Sequence, residues 1–536
     1  MNTKGARRLI SLEELETWLG TKLGKLERSD IVLLAFIVSY GILFSTLTVF
    51  RYYGFQTRAW DLGIFTQSLW TTLYTNKFLY HTCELFINPS GSFFGVHFSP
   101  ILFFILPVYR LVTAPETLLV LQSFTLALAA VPIYRLTREY AGGRTSALVL
   151  AATYLMYPAT QHVNWYDFHA QAFLPLFFAF TMYYIAKENW SKYFLFVFLS
   201  LMCEEHAAWI TFAMGIYIVW KYRTQVLSTL TRKKTLENKY LNIALVTIVI
   251  SSVWYWFTLW QRNTFFPTNP AALEEFLGSP NFTLLGAKDP IQIPLLVITR
   301  PWNTIQALAF DGHLKLLYLA LLFGPLAFFS FKAPSALIPA LPWFAFSLLS
   351  QTLAHHMLGH QYEAYVIAFI FVAAIFGLRK NYLETSTLKS VKGSLKKVVA
   401  FNIIFFLIAS PLGPVVNIMY PDYVNLGMSN HEQQLNEVLG MIPANASILT
   451  QDNIFTQVSH RLEAYVVPNR FIDSGINDLA ISFVNETMDR VEYILVDNKT
   501  DPLATGLVTL LLETKPQFVL IAKRDDNSIL LYWRKP

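Results

Sequence analysis

The stretch "NWYDFHAQ" sets a carboxylate and an imidazole, Asp167 and His169, two residues apart, and "LMCEEHAAW" places Glu204, Glu205 and His206 side by side. An acid beside an imidazole can bind a metal or relay a proton; at a helix start it can instead satisfy orphan backbone N–H groups. Upstream, "RAWDLGIF" holds Arg58 and Asp61, and His81, Glu84 and His97 follow before the next long apolar run. Arg262 and Arg300 flank later apolar segments, while His355, His356 and His360 have the spacing of metal ligands on one helical face. Each group also has a plainer reading. Asp61 could be a helix cap or a partner of Arg58, Asp167 a cap, Glu205 a solvated loop residue, and the three histidines solvated groups at a membrane interface.

The elements that must position these groups are strongly apolar. Of 536 residues, 54% are hydrophobic, 16% aromatic and 14% charged, and a soluble fold of that composition would leave large apolar surfaces in water. Runs able to cross ~30 Å of hydrocarbon recur from Ile31 onward, and in lipid such runs must be helical because no water satisfies their backbone. The pattern predicts about eleven transmembrane helices, near 31–50, 116–134, 145–160, 168–186, 193–203, 206–220, 241–260, 314–331, 335–353, 363–378 and 398–418. The apolar stretch 98–113 is read as juxtamembrane or re-entrant. Counting it as a crossing would move Arg135, Arg138 and Arg144 outside, against the rule that basic short loops lie in the cytoplasm.

Charge then sets orientation. The loops 221–239 and 379–397 each hold six basic residues, whereas the loops 161–167, 204–205 and 354–362 hold no Lys or Arg. A multi-pass cell-membrane protein follows, with its N-terminus cytoplasmic and its C-terminus extracytoplasmic. The net charge of +6 is spread over short loops rather than gathered in one stripe, so no nucleic-acid partner is implied. Two cysteines, Cys83 and Cys203, make no disulfide framework. The chain divides into a cytoplasmic amphipathic segment 1–29, opened by Ser11 and Glu14 as a capping box, a transmembrane domain 30–418 with a long first outer loop 51–97, and an extracytoplasmic α/β domain 419–536. In that last part β-type runs at 447–450, 493–496, 518–522 and 529–533 alternate with helical stretches such as 502–514.

The segments "WDLGIFTQSLW", "HFSPILFFILPVY", "LVLQSFTLALAAVPIYRLTREY", "YPATQHVNWYDFHAQAFLPLFFAF" and "CEEHAAWITFAMGIY" resemble a family of archaeal and bacterial polytopic membrane proteins that carries no assigned activity. The layout also resembles the glycosyltransferase C superfold, which includes protein mannosyltransferases, lipid A aminoarabinose transferases and oligosaccharyltransferase catalytic subunits. Those proteins place an acid in a long first outer loop and a second in the next outer loop. Asp61 and Asp167 occupy these two positions, and the first loop has no paired Asp-X-Asp.

The resemblance implies an inverting glycosyltransferase that takes sugar from a polyprenyl-phosphate donor in the bilayer and transfers it at the outer face. It would make Asp61 the general base and have Asp167 with His169 orient the acceptor or a divalent metal, for which Asp61, Asp167 and His169 are the candidate ligands. Glu204 and His97 would complete a polar wall, Arg58 would contact substrate, and Arg262 or Arg300 would stabilise the leaving phosphate. The alternative is a transporter or lipid flippase using the same acids as a proton or ion relay. A third is a surface binding protein in which the outer domain acts and the membrane part is scaffold.

Overall fold

The computed structural model describes residues 27–231, 237–269, 281–288, 290–385, 388–420, 423–424, 427–468 and 477–536. The expected amphipathic helix at Ser11 lies outside them, as does the centre of the basic loop 221–239.

Every segment expected to cross a membrane is largely helical, yet few form one long uninterrupted helix. Arg28–Tyr53, Pro115–Tyr140, Lys239–Phe265 and Lys392–Met419 are long and apolar enough to span, and Pro301–Ala309 with Gly312–Leu326 forms a fifth candidate bent by 72°. Several other segments, such as Ala170–Ala186, Trp190–Leu201 and Ala207–Lys221, are apolar helices of 10–17 residues. Length and composition therefore qualify four or five spans among the described residues, not eleven. Local chemistry accounts for the breaks. Pro158 opens its own helix, so the expected segment 145–160 is divided between Gly143–Leu155 and Pro158–Trp165. The stretch 98–113 contributes the ten-residue helix Leu102–Leu111, which at ~1.5 Å per residue is about half a bilayer core in length.

Helix Lys239–Phe265 shows what solvent these elements are built for. Ala244, Thr247, Ser251, Tyr255 and Thr258 face inward, while Leu245, Val249, Val253, Trp256 and Trp260 are exposed. Small and hydroxyl-bearing residues let helices approach closely and bond across the contact. Thr211 and Ser251 pair through their hydroxyls at 2.8 Å, and Tyr193 and Thr247 at 2.9 Å. Polar contacts inside and bulky apolar groups outside are the inverse of a water-soluble amphipathic helix and fit a hydrocarbon surround.

The C-terminal part is a five-stranded sheet: β1 (Ile448–Thr450), β2 (Ala464–Val466), β3 (Tyr493–Asp497), β4 (Phe518–Arg524) and β5 (Ile529–Arg534), in the order β2-β1-β3-β5-β4. β1 is parallel to both β2 and β3, whereas β5 runs antiparallel to β3 and β4. Central β1 and β3 read as nearly continuous apolar runs because both of their faces are covered. Four of the strands match the expected β-type runs. β2, three residues long, carries too little pattern to be found from sequence.

This sheet domain is docked on the first loop and on the helix Leu102–Leu111 that follows it. Thr66 bonds Ser459 at 2.8 Å, Gln67 donates to the Arg461 carbonyl at 3.0 Å, and the Tyr109 hydroxyl meets His460 Nε2 at 2.7 Å. A Cβ on Gly63 would stand 2.7 Å from the Phe455 ring, so glycine is what lets these surfaces touch.

Candidate functional site

Asp61, His97, Tyr166, Glu204 and Arg262, each in a loop or near a helix end, are brought together by the packing of the helices. They line a cavity of about 720 Å³ together with His169, His206, Trp209, Tyr255, Lys288, His355 and His360. That size suits a small organic ligand or a lipid headgroup.

Asp61 lies in the π-helical turn Ala59–Gly63, the kind of irregular turn often kept at functional sites. It is 8% exposed. Its Oδ1 is 3.0 Å from His169 Nε2, and its Oδ2 accepts from the Tyr166 hydroxyl at 2.9 Å. On the other side of the His169 ring, Nδ1 is 3.0 Å from the Asp167 carbonyl, which can only accept, so Nδ1 carries a hydrogen. One further proton is then shared between Nε2 and Asp61. The His169 backbone is held by Gln122, whose Oε1 accepts from its N–H at 2.9 Å. The result is a fixed acid–imidazole pair facing the cavity.

The second group comes from the bend between Trp190–Leu201 and Ala207–Lys221. His97 Nδ1 lies 3.3 Å from Glu204 Oε1 and 3.1 Å from Glu205 Oε1. His206 Nδ1 is 3.1 Å from Glu204 Oε1, and the Phe98 N–H donates to Glu205 Oε2 at 2.9 Å. Glu205 is 7% exposed, so its reading as a solvated loop residue is corrected: the bend is folded inward. Burial disfavours the charged form of His97, but Glu205 and then Glu204 outweigh it and raise its pKa to about 9. Burial likewise pushes the Glu205 carboxyl up, and His97 overcomes this to hold it well below the usual range.

Of the remaining expected site residues, Asp167, Arg58 and Arg300 sit elsewhere. The Asp167 side chain accepts the Arg58 N–H at 2.6 Å, and Asp167 is not among the described residues lining the cavity. Burial raises its carboxyl to about 7, with Arg51 opposing the shift and Asp61 adding to it. The three-ligand set Asp61, Asp167 and His169 is therefore not assembled; a metal-range set of His, Asp, Glu or Cys ligands among the described residues is His97, Glu204 and Glu205. Arg58 points its guanidinium to Asp452 at 3.1 Å rather than into the cavity. Of the two arginines considered for the phosphate, Arg262 lines the cavity, whereas Arg300 turns toward the Leu285 carbonyl at 3.4 Å. His355, His356 and His360 do not share a helical face, because the short helix Leu353–His356 ends before His360; His355 bonds Ser350 and His360 packs on Tyr166.

Tyr166 and Lys288 were not singled out by sequence, and Glu205, weighed there as a candidate, was left out of the assigned site. Tyr166 lies within the acid–imidazole motif and Glu205 beside Glu204, which is where a signal existed; Lys288 had none.

Fold and cavity define a multi-helix membrane protein whose polar site is built from loops and helix ends. The chain belongs to the family DUF2079, described as predicted membrane proteins, whose model matches residues 51–514. No curated protein gives a significant sequence match. Among the solved structures that match is ArnT from Cupriavidus metallidurans bound to undecaprenyl phosphate, at 11% identity and a TM-score of 0.50, covering 94% of this chain and 98% of that one. The likeness is one of fold, and it agrees with the expected glycosyltransferase C layout.

Proposed function

We propose that the protein is a membrane glycosyltransferase that uses a polyprenyl-phosphate-linked sugar at the extracytoplasmic face of the cell membrane. The observation that carries this reading is Asp61: a buried carboxylate on a cavity wall, hydrogen-bonded to both His169 and Tyr166 and open to a ligand. The fold likeness to a protein that holds undecaprenyl phosphate supports a lipid-linked donor.

In the proposed reaction the acceptor hydroxyl gives its proton to Asp61 as its oxygen attacks the anomeric carbon. The bond from that carbon to the phosphate oxygen breaks, its electron pair leaves with the polyprenyl phosphate, and the anomeric configuration inverts. His169 and Tyr166 hold the carboxylate in place and share the arriving charge. Arg262 and Lys288 supply positive charge for the departing phosphate. Asp167 acts one step back, fixing the Arg58 backbone at the entrance to the turn that carries Asp61. On this reading the domain 419–536 lies outside the membrane and braces the first loop.

Purified protein in liposomes, supplied with polyprenyl-phosphate sugars and a panel of acceptors, tests the reading. Consumption of lipid-linked sugar that is lost in Asp61→Asn supports it. Translocation of intact lipid-linked sugar without its consumption would replace it with the flippase reading.

A further inference from the structure

We propose that His97, Glu204 and Glu205 form a divalent-cation site in the cavity wall, distinct from the Asp61–His169 pair. The inference refines the proposed active site but does not depend on the transfer reaction, since it concerns binding of the ion alone.

Geometry is the first ground. One ligand atom from each residue lies within 4.8 Å of the others, and His97 Nδ1 stands 3.3 Å from Glu204 Oε1 and 3.1 Å from Glu205 Oε1. Ligands at ~2.1 Å from a cation, set 90–109° apart, are separated by about 3.0–3.4 Å. The His97 distances fall in that range. The second ground is an unsatisfied atom: Glu204 is 3% exposed, and its Oε2 is buried with no hydrogen-bond partner. A buried carboxylate oxygen without a donor is costly, and a cation would satisfy it.

The surroundings fix the ligands from behind, as the groups around a metal site do. His206 Nδ1 bonds Glu204 Oε1, and the Phe98 N–H bonds Glu205 Oε2. One imidazole with two carboxylates suits Mn²⁺ or Zn²⁺. Three protein ligands leave coordination positions open to the cavity, where an anionic oxygen of a bound ligand could enter.

The test uses full-length protein in detergent, stripped with a chelator and titrated with Mn²⁺ or Zn²⁺ alone. Electron paramagnetic resonance reports bound Mn²⁺, and elemental analysis with calorimetry reports Zn²⁺. One equivalent per chain is expected, with affinity weakened at least about tenfold in Glu204→Gln and in Glu205→Gln and retained in Asp61→Asn. Melting curves of the stripped proteins establish that each variant is folded. Should either Gln variant unfold, His97→Gln takes its place with the same expectation. Absence of stoichiometric binding, or binding unchanged by replacement of the ligands in folded protein, would overturn the site and leave the three side chains as a histidine–carboxylate ion-pair network. Turnover is not the readout, so a cation held by an inactive protein would count against the transferase reading and not against this one.

Discussion

Asp61 and Asp167 are both buried acids, but their partners divide the work between them. Asp61 faces the cavity with its carboxylate bonded to a phenol and an imidazole, so Asp61→Asn preserves shape and much of the bonding while removing the proton acceptor. Turnover of lipid-linked sugar should fall by about 10² to 10⁴ with melting temperature nearly unchanged; near wild-type turnover in that assay excludes Asp61 as the base. Asp167 instead has a pKa raised to about 7, above the ordinary carboxylate value, mainly by burial. The folded chain therefore holds a proton that the unfolded chain has released. Stability from this group is complete below pH ~4 and declines as pH rises toward 7. Asp167→Asn cannot titrate and can still accept the Arg58 N–H, so its melting temperature should vary less than wild type between pH 5 and 8. Parallel profiles would show that Asp167 is not the titrating group.

At the scale of elements, the turn Ala59–Gly63 is gripped from the C-terminal domain. Asp452 accepts the Ala59 N–H at 2.7 Å and the Arg58 guanidinium at 3.1 Å. The Arg58 side chain is 56% exposed, so the ion pair contributes little, and the amide bond resembles a helix cap worth ~0.5–2 kcal/mol. Asp452→Ala should lower kcat while leaving KM for the lipid donor nearly unchanged, because it loosens the turn carrying Asp61 without altering the donor's contacts. A rise in KM alone would assign Asp452 to donor binding. Gly63→Ala tests the same contact sterically: the added methyl meets the Phe455 ring and should cost ~1–3 kcal/mol, seen as a lower melting temperature and faster proteolysis between the two parts. Stability equal to wild type would mean that the domain docks loosely there.

For the whole molecule, the charge pattern predicts basic loops on the cytoplasmic side and the polar cavity on the other, a topology that labelling can check. Cys83 and Cys203 are both buried and should give little background. In cells, a membrane-impermeant maleimide should label Asn498→Cys in the C-terminal domain directly and Lys234→Cys only after permeabilisation. Direct labelling of Lys234→Cys would invert the orientation and move the cavity to the cytoplasmic side. Orientation also decides the donor, because it fixes the leaflet from which a lipid-linked sugar enters.

Composition and charge made the class of molecule legible: continuous apolar runs have one solution in hydrocarbon, and basic short loops carry the orientation signal along the chain itself. The acids of the cavity were also visible as residue types, since an ionisable group beside an apolar run is conspicuous. Their assignment to partners was not, because hydrogen bonds between residues more than a hundred positions apart depend on how helices end and loops fold back. Asp61 finds His169, His97 finds Glu204 and Glu205, and Asp167 turns to Arg58, all across such separations. Asp167 and Glu205 show the limit most clearly. Both sit in motifs that sequence singled out, yet a single amide at Arg58 takes the Asp167 side chain from the cavity, and an inward bend brings Glu205 into it.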